Sequence, residues 1–261
     1  MLNSWLYTNA YNLIKSGKTC SYAIIKGHDY VKKLNLIENI KIEIVEMQEP
    51  PKLIINNSAN SEIIYSQNIQ KSMFDFVSGD TLYLKIRKNT YLYSDIIYIN
   101  LPLLQSVTVF RKTHSFEIQK NIIIPNGSAI PISESYCEYS FNTTISGFKN
   151  DNISVFYSGN CNFEFKNNKL RKLSMKNDLK SSGIVDLLQY TDCDSLDFDL
   201  KSQFGTLKLG SDRYSTQENP KQWINIKVSK YIKVQGDAWI TSKIKMENSS
   251  EHVSSFRKSK K

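Results

Sequence analysis

The sequence predicts an all-β protein, read as a β-solenoid of short stacked strands behind a small helical N-terminal segment. Three observations carry this. From residue 40 onward apolar and polar residues alternate in short runs, the period of a strand with one buried face. The runs are rich in β-branched and aromatic residues, with 15 Tyr and 12 Phe in the chain, as strands prefer. Turn pairs recur between them, at Ser78-Gly79, Ser146-Gly147, Ser158-Gly159, Ser182-Gly183, Gly210-Ser211 and Gly236-Asp237.

Sandwich, barrel and solenoid all fit such punctuation. The solenoid is favoured because many runs are only three to five residues long. Asn is also abundant in the gaps, where tight corners need a left-handed backbone.

Along the chain, residues 1–39 form an N-terminal cap segment. Within it Leu2, Trp5, Leu6, Leu13 and Ile14 fall at helical spacing and Gly17 stands where a helix would stop, so 4–16 is read as a short amphipathic helix. Residues 40–246 are the β domain. Its first strand is set by Ile40, Ile42 and Ile44 alternating with Lys41 and Glu43. Further strands are expected at Lys52–Ile55, Glu62–Tyr65, Thr81–Ile86, Asp95–Asn100, Val107–Phe110, Phe116–Ile118 and Ile122–Ile124. Others follow at Tyr139–Thr144, Ile153–Tyr157, Asn162–Phe165, Lys172–Met175, Leu196–Leu200 and Thr206–Leu209. The series ends with Ile224–Val228, Tyr231–Val234, Ala238–Ile240 and Lys243–Met246. After residue 40 only Gly183–Gln189 has a weak helical periodicity. Residues 247–261 are a basic, flexible tail with Arg257, Lys258, Lys260 and Lys261.

Composition bounds the class. The 261 residues are 40% hydrophobic and 23% charged, enough for a core and unlike a disordered chain. Ordinary Gly and Pro, absent heptads and four Cys exclude collagen, coiled coil and a disulfide scaffold. No apolar run reaches the roughly 18 residues of a membrane-spanning helix. The N-terminus has no secretory-signal pattern, because Asn3, Ser4, Thr8, Asn9 and Asn12 interrupt its apolar residues. That leaves an internal protein, a lost signal or another export route. The net charge of +9 favours anionic partners without choosing among them.

No residue pattern assembles a reaction, and the chain is read as not an enzyme, with no catalytic, cofactor-binding or metal residues and no cofactor. Gly17-Lys18-Thr19 lacks the upstream Gly of a P-loop; Asn12 stands there. His28, His114 and His252 lie far from each other and from Cys, so helix-type metal pairs are excluded. Cys20, Cys137, Cys161 and Cys193 have no C-x-x-C spacing. They are read as buried thiols; the alternative is two disulfides. Pairing Cys137 with Cys161 would close a loop of about 25 residues and stabilise by about 3 kcal/mol.

Asp192, Asp194, Asp197 and Asp199 form the one acidic cluster. On a strand, Asp197 and Asp199 would share a face about 7 Å apart, within the range of inverting glycosidase carboxylates and of a Ca²⁺ site. Leu196, Phe198 and Leu200 alternate with them, so the solvated face of a strand is the favoured reading. Lys85, Arg87, Lys88, Tyr91 and Tyr93, Arg111 and Lys112, and Lys230, Tyr231 and Lys233 interleave cations with aromatics. That texture suits nucleic acid and equally the soluble outer faces of strands. N-x-S/T sites at Asn56, Asn126, Asn142, Asn152 and Asn248 are expected by chance in an Asn-rich chain.

One stretch is more particular. GDTLYLKIRK (79–88) precedes SDIIYINLPLLQSVTV (94–109), and NISVFYSGNCNFEF, SLDFDLKSQFGTLKL and WINIKVSKYIKVQGDAWI follow with Ser-Gly spacing and Gly236 at a rung position. This order resembles the GIN-type domain of the autotransporter adhesin head family over roughly residues 40–246. The Ser-Gly-Ala-Gly tetrads of that family are missing here. The resemblance implies a right-handed β-roll or β-helix in the bacterial envelope, with no enzymatic chemistry and no residue roles to carry over.

The expected function is therefore a non-catalytic, adhesin-like or scaffold binding protein of a bacterial cell envelope. Its partner would be an anionic surface, either envelope lipid or acidic polysaccharide. The alternative is an intracellular or viral structural protein that binds nucleic acid through basic faces.

Overall fold

The structure is a computed structural model. It describes residues 29–45, 47, 50–87, 95–112, 117–123, 129–135, 139–149, 151–189, 191–202, 204–209, 223–236 and 241–247. The helix expected at 4–16, Cys20, Cys137, all three histidines, Lys88, Tyr91, Tyr93, Ala238–Ile240, Asn126, Asn248 and the basic tail lie outside these residues.

The described chain is nearly all β. Its strands are β1 (Asp29–Lys33), β2 (Asn39–Val45), β3 (Lys52–Asn57), β4 (Glu62–Ser66), β5 (Met73–Ser78), β6 (Thr81–Arg87) and β7 (Ile96–Leu101). Next come β8 (Ser106–Lys112), β9 (Glu117–Ile123), β10 (Ala129–Ser135), β11 (Phe141–Ser146), β12 (Asn152–Ser158), β13 (Cys161–Lys166) and β14 (Lys169–Asn177). The last are β15 (Ile184–Gln189), β16 (Asp192–Leu200), β17 (Gly205–Leu209), β18 (Trp223–Ser229), β19 (Ile232–Gly236) and β20 (Lys245–Glu247). One helical turn, α1 (Gln67–Gln70), joins β4 to β5.

Two large mixed sheets hold nine strands each, and neither closes. Sheet 1 runs β1-β4-β7-β3-β11-β13-β15-β17-β19, and sheet 2 runs β20-β18-β16-β14-β12-β8-β2-β6-β5. β9 and β10 form a separate antiparallel hairpin. From β11 onward successive strands alternate between the sheets. Each pairs in parallel with the strand one circuit later: β11 with β13, β12 with β14, β13 with β15, β14 with β16. The offset between facing residues is 20 at Asn142 and Asn162 and 28 at Asp197 and Asn225.

Alternation fills a single core between the sheets. Sheet 2 buries Ile40, Ile42 and Ile44, Leu82, Leu84 and Ile86, Val107 and Val109, and Leu196, Phe198 and Leu200. Sheet 1 buries Leu53 and Ile55, Ile97 and Ile99, Phe163 and Phe165, and Leu207 and Leu209. The odd or even positions that are absent from this set face solvent, which leaves two outer faces.

The corners are held by polar side chains. Asn168, almost fully buried, accepts from the Phe148 amide at 3.0 Å and donates to the Ile145 carbonyl at 2.9 Å. Gly183 has φ +126°, and a Cβ there would lie 1.9 Å from the Cys161 carbonyl oxygen. In β14 the buried positions change parity between Leu170 and Leu173, and in β16 between Cys193 and Leu196. Leu170 faces Cys193 and Leu173 faces Leu196, so both strands bend at the same place.

The N-terminal end differs. β1, β4 and β7 are antiparallel neighbours, as are β5 and β6. Ile69 of α1 is fully buried beneath them. Lys32 of β1 bonds Asp75 of β5 at 2.5 Å, linking the edge strands of the two sheets.

Several expectations need correction. Gly183–Gln189 is not helical: Ile184–Gln189 is a strand with Val185 and Leu187 inward. β-branched Ile184 and Val185 and parallel neighbours on both sides decide it. The runs Phe116–Ile118 and Ile122–Ile124 fall largely in one strand, β9. β1, β5 and β10 were not expected. β1 lies inside the segment 1–39 that the sequence assigns to a helical cap.

Candidate functional site

The outer face of sheet 2 carries an aromatic row that strand register assembles from distant residues. Phe76 of β5 faces Tyr83 of β6, Tyr83 faces Lys41 of β2, and Lys41 faces Thr108 of β8, which faces Phe156 of β12. Two residues along the strands, about 7 Å away, a second row reads Phe74, Lys85, Glu43, Phe110 and Ser158. Each belongs to the outward parity of its strand, because its chain neighbours fill the core.

The side chains engage each other. The Phe76 and Tyr83 rings stack at 4.7 Å, 3° from parallel. The Lys41 ammonium lies 5.8 Å from the Tyr83 ring and 5.8 Å from the Phe110 ring. It is thus a cation between two π faces, an arrangement stabilised by the ring quadrupoles. Phe110 tilts against Phe156 at 5.6 Å, and Phe74 against Phe76 at 5.9 Å. Phe74 is 62% exposed, Phe76 46% and Phe110 37%. Together they line an open groove of about 660 Å³ with Arg87 and Lys112 at its wall.

Charge in the groove is predominantly positive. Glu43 accepts from Lys85 at 2.7 Å and lies 3.3 Å from Lys112. Lys85 first, then Lys112, hold its carboxyl below the usual range against the opposing effect of burial. Lys41 and Arg87 have no carboxylate at ion-pair distance among the described residues. Among the described residues, the Glu43 carboxylate therefore stands against the cations of Lys41, Lys85, Arg87 and Lys112.

A smaller depression of about 260 Å³ on the outer face of sheet 1 is lined by Lys52, Asn142, Asn162, Glu164, Asp186 and Lys208, among others. Its groups are mutually bonded: Asn162 donates to Asn142 at 2.9 Å and Thr144 to Glu164 at 3.3 Å, and Lys208 lies 3.7 Å from Asp186.

Comparison with known proteins gives structural likeness only. No protein-family model matches the chain, and neither does any curated protein. A candidate adhesin from Bacteroides fragilis is 15% identical, covers 85% of this chain and 98% of its own, and has a TM-score of 0.43. A candidate lipid-binding protein from Parabacteroides distasonis is 12% identical over 85% of this chain and 98% of its own, with a TM-score of 0.36. A candidate cell adhesion protein from Clostridium sporogenes is 12% identical over 84% and 97%, with a TM-score of 0.26. At these TM-scores the likeness carries no argument about ligand or site.

The residues singled out in the sequence take definite places. Asp197 and Asp199 lie on the outer face of β16 with Leu196, Phe198 and Leu200 inside. Asp197 pairs with Lys172 at 3.1 Å and accepts from Asn225 at 2.9 Å, and Asp199 lies 3.6 Å from Lys201. Burial raises the Asp197 pKa, but Lys172 and Asn225 outweigh it and hold the carboxyl low. Asp192 and Asp194 are exposed beside the bend. The cluster is therefore laced to lysines. Among the described residues no group of three His, Cys, Asp or Glu is placed to hold a metal ion.

Cys161 and Cys193 are buried thiols with no disulfide, and burial pushes each up to about 12, far from the reactive thiolate range. For Cys161 and Cys193 this is the buried-thiol reading; Cys137 lies outside the described residues. Of the basic stretches, Lys85, Arg87 and Lys112 reach the groove. Arg111 borders the groove too, but its guanidinium turns inward to the carbonyls of Met47 at 3.2 Å, Asn160 at 2.9 Å and Tyr139. Lys230 sits over the Tyr231 ring at 5.1 Å, near the C-terminal end of sheet 1.

Sequence reasoning missed Phe74 and Phe76 because it missed β5. The available signal was two aromatics at positions i and i+2 flanking Asp75.

Proposed function

We propose that this chain is a non-catalytic, adhesin-like binding protein of a bacterial cell envelope that engages an anionic surface through the outer face of sheet 2. The observation that carries this is Lys41, held between Tyr83 and Phe110 in an open groove and, with Arg87, without a carboxylate partner among the described residues. A cation fixed by aromatic rings is pre-organised for an anion and loses little freedom on binding. The non-catalytic reading is supported by the acidic cluster, whose Asp197 and Asp199 are drawn to lysines rather than to each other.

The finer reading of the fold goes with it. The alternation of strands between two sheets, with parallel partners one circuit apart, supports a β-solenoid of the β-roll kind over residues 40–246. Residues 1–39 would cap it and 247–261 would be a basic tail. This is the architecture that the resemblance to the GIN-type domain implies.

The test has two arms. Cell fractionation with external protease treatment should place the protein at the surface; protection inside the cell overturns the envelope reading. The purified full chain should be retained on polyanion-coated beads and not on neutral ones, with retention falling steeply between roughly 50 and 200 mM salt. Equal retention on both overturns the anionic partner. Stronger retention by single-stranded DNA than by other polyanions would transfer the reading to nucleic-acid binding.

A further inference from the structure

We infer that the groove across β5, β6, β2 and β8 is a binding site for an acidic polysaccharide, whose chain runs obliquely over the strands with a sugar ring on Phe76 and its anionic groups on Lys41 and Arg87. This rests on the anionic-surface reading above and assigns it a ligand and a site.

Four features argue for a sugar chain. The first is shape. A groove of about 660 Å³ is in the size range of sites that enclose a small ligand, and a bilayer needs no concavity.

The second is ring geometry. Phe76 stacks one face on Tyr83. β5 is the edge strand of sheet 2, so among the described residues no strand lies beside the other face of Phe76. A pyranose ring presents axial C–H groups as an apolar face, which suits the negative face of an exposed aromatic ring.

The third is charge. Lys41 lies in one row, Glu43 and Lys85 in the next, and Arg87 and Lys112 both face Val45 in the row beyond, so Lys41 and Arg87 are two rows apart along the strands. Separated cations fit a polymer with charges repeated along it better than one compact headgroup.

The fourth excludes the competing polymer. Single-stranded nucleic acid needs successive open ring faces for successive bases. Here Lys41 occupies the facing surfaces of Tyr83 and Phe110, which leaves the open platform at the edge only. A bilayer is disfavoured as well, because the aromatics stand within strands and among cations, and not on a projecting apolar loop.

The experiment is titration calorimetry of the full chain at roughly 50 mM salt. The probes are oligogalacturonate, a heparin-derived oligosaccharide, maltohexaose, oligo-dT and vesicles of phosphatidylglycerol with phosphatidylcholine. At least one acidic oligosaccharide should bind and maltohexaose should not. Lys41→Gln and Phe76→Ala should each weaken that binding by about tenfold or more, with melting curves like the parent's. Phe76→Tyr should retain it, and Lys52→Gln on the outer face of sheet 1 should leave it unchanged.

Failure of both acidic oligosaccharides to bind overturns the inference. If the anionic vesicles bind instead, the anionic-surface reading survives with a lipid partner; if nothing binds, both fall. Preference for oligo-dT overturns the inference in favour of nucleic acid. Acidic oligosaccharide binding that ignores Lys41→Gln and Phe76→Ala overturns the groove assignment and leaves the broader reading standing.

Discussion

The two outer faces of this protein obey the same alternation and spend their polar groups differently. On sheet 1 the outward residues bond one another along the ladder. Ser146 donates to Asn56 at 2.6 Å, Asn56 to Asn100 at 3.4 Å, and Asn100 to Glu62 at 2.9 Å, so one polar line crosses four strands. A second line joins Asn142, Asn162 and the Ile184 amide. On sheet 2, near its β5 edge, the same positions hold Phe74, Phe76, Tyr83 and Phe110, with Lys41 and Arg87 among them. The faces differ in prior engagement. A side chain already bonded to its neighbour strand stabilises the fold and has little left for a ligand. An unpaired cation between rings adds little to the fold and is available to one.

The most disruptive test acts on what both faces share. Gly183→Ala places a Cβ against the Cys161 carbonyl at a positive-φ corner, where strain and a displaced ladder combine. Denaturant unfolding should show a loss of at least about 3 kcal/mol, and both faces should lose protection together in hydrogen exchange.

Next in size is a change confined to sheet 1. Asn100→Ala removes the middle of the polar line at a site only 5% exposed. It should cost about 1–3 kcal/mol and leave acidic-oligosaccharide affinity untouched. A loss of affinity would show that the faces are not independent.

The reciprocal change on sheet 2 should move stability less. Phe76→Ala should stay within about 1 kcal/mol of the parent while abolishing most of the binding. A large stability loss with intact binding would make the aromatic row a packing device.

The smallest effect is electrostatic. Glu43 and Asp197 have carboxyls held below their usual range. Their contribution is fully present above the ordinary carboxylate pKa and is lost as pH falls through the depressed value. Asp151 works the other way. Burial raises its pKa against Arg171, so its ionisation above that raised value opposes folding. Carboxyl NMR titration from pH 7 to 2 should show Glu43 and Asp197 titrating late and Asp151 early. In Lys85→Met, Glu43 should move back toward normal. For Glu43 and Asp197 these are surface-scale effects.

Much of the architecture was legible because alternation is local. Ile40, Ile42 and Ile44 announce their face in five residues, and most expected strands lie within observed ones. β5 was not legible because its outward residues are aromatic: Phe74 and Phe76 beside inward Met73 and Val77 erase the polar contrast that marks a strand. β15 was misread because Leu187, Leu188 and Ile184 also satisfy helical spacing. Arg111 was grouped with outward cations, yet it shares the parity of Val107 and Val109 and so points inward, where corner carbonyls accept its guanidinium. The candidate site was invisible as a unit, because register brings together Lys41, Phe76, Tyr83 and Phe110 from four strands.

The offset of 20 residues between Asn142 and Asn162, repeated between Tyr157 and Asn177, makes the length of this molecule a countable quantity. Excising one such block between β11 and β13 would bring Phe163 beside Leu53 and Met175 beside Val107, where Thr143 and Val155 now stand. Both ladders would close up in phase, with apolar residues again facing the core. A whole step of this kind shortens the molecule with its core in phase, and a step taken at β12 also puts Lys176 where Phe156 now stands beside the groove.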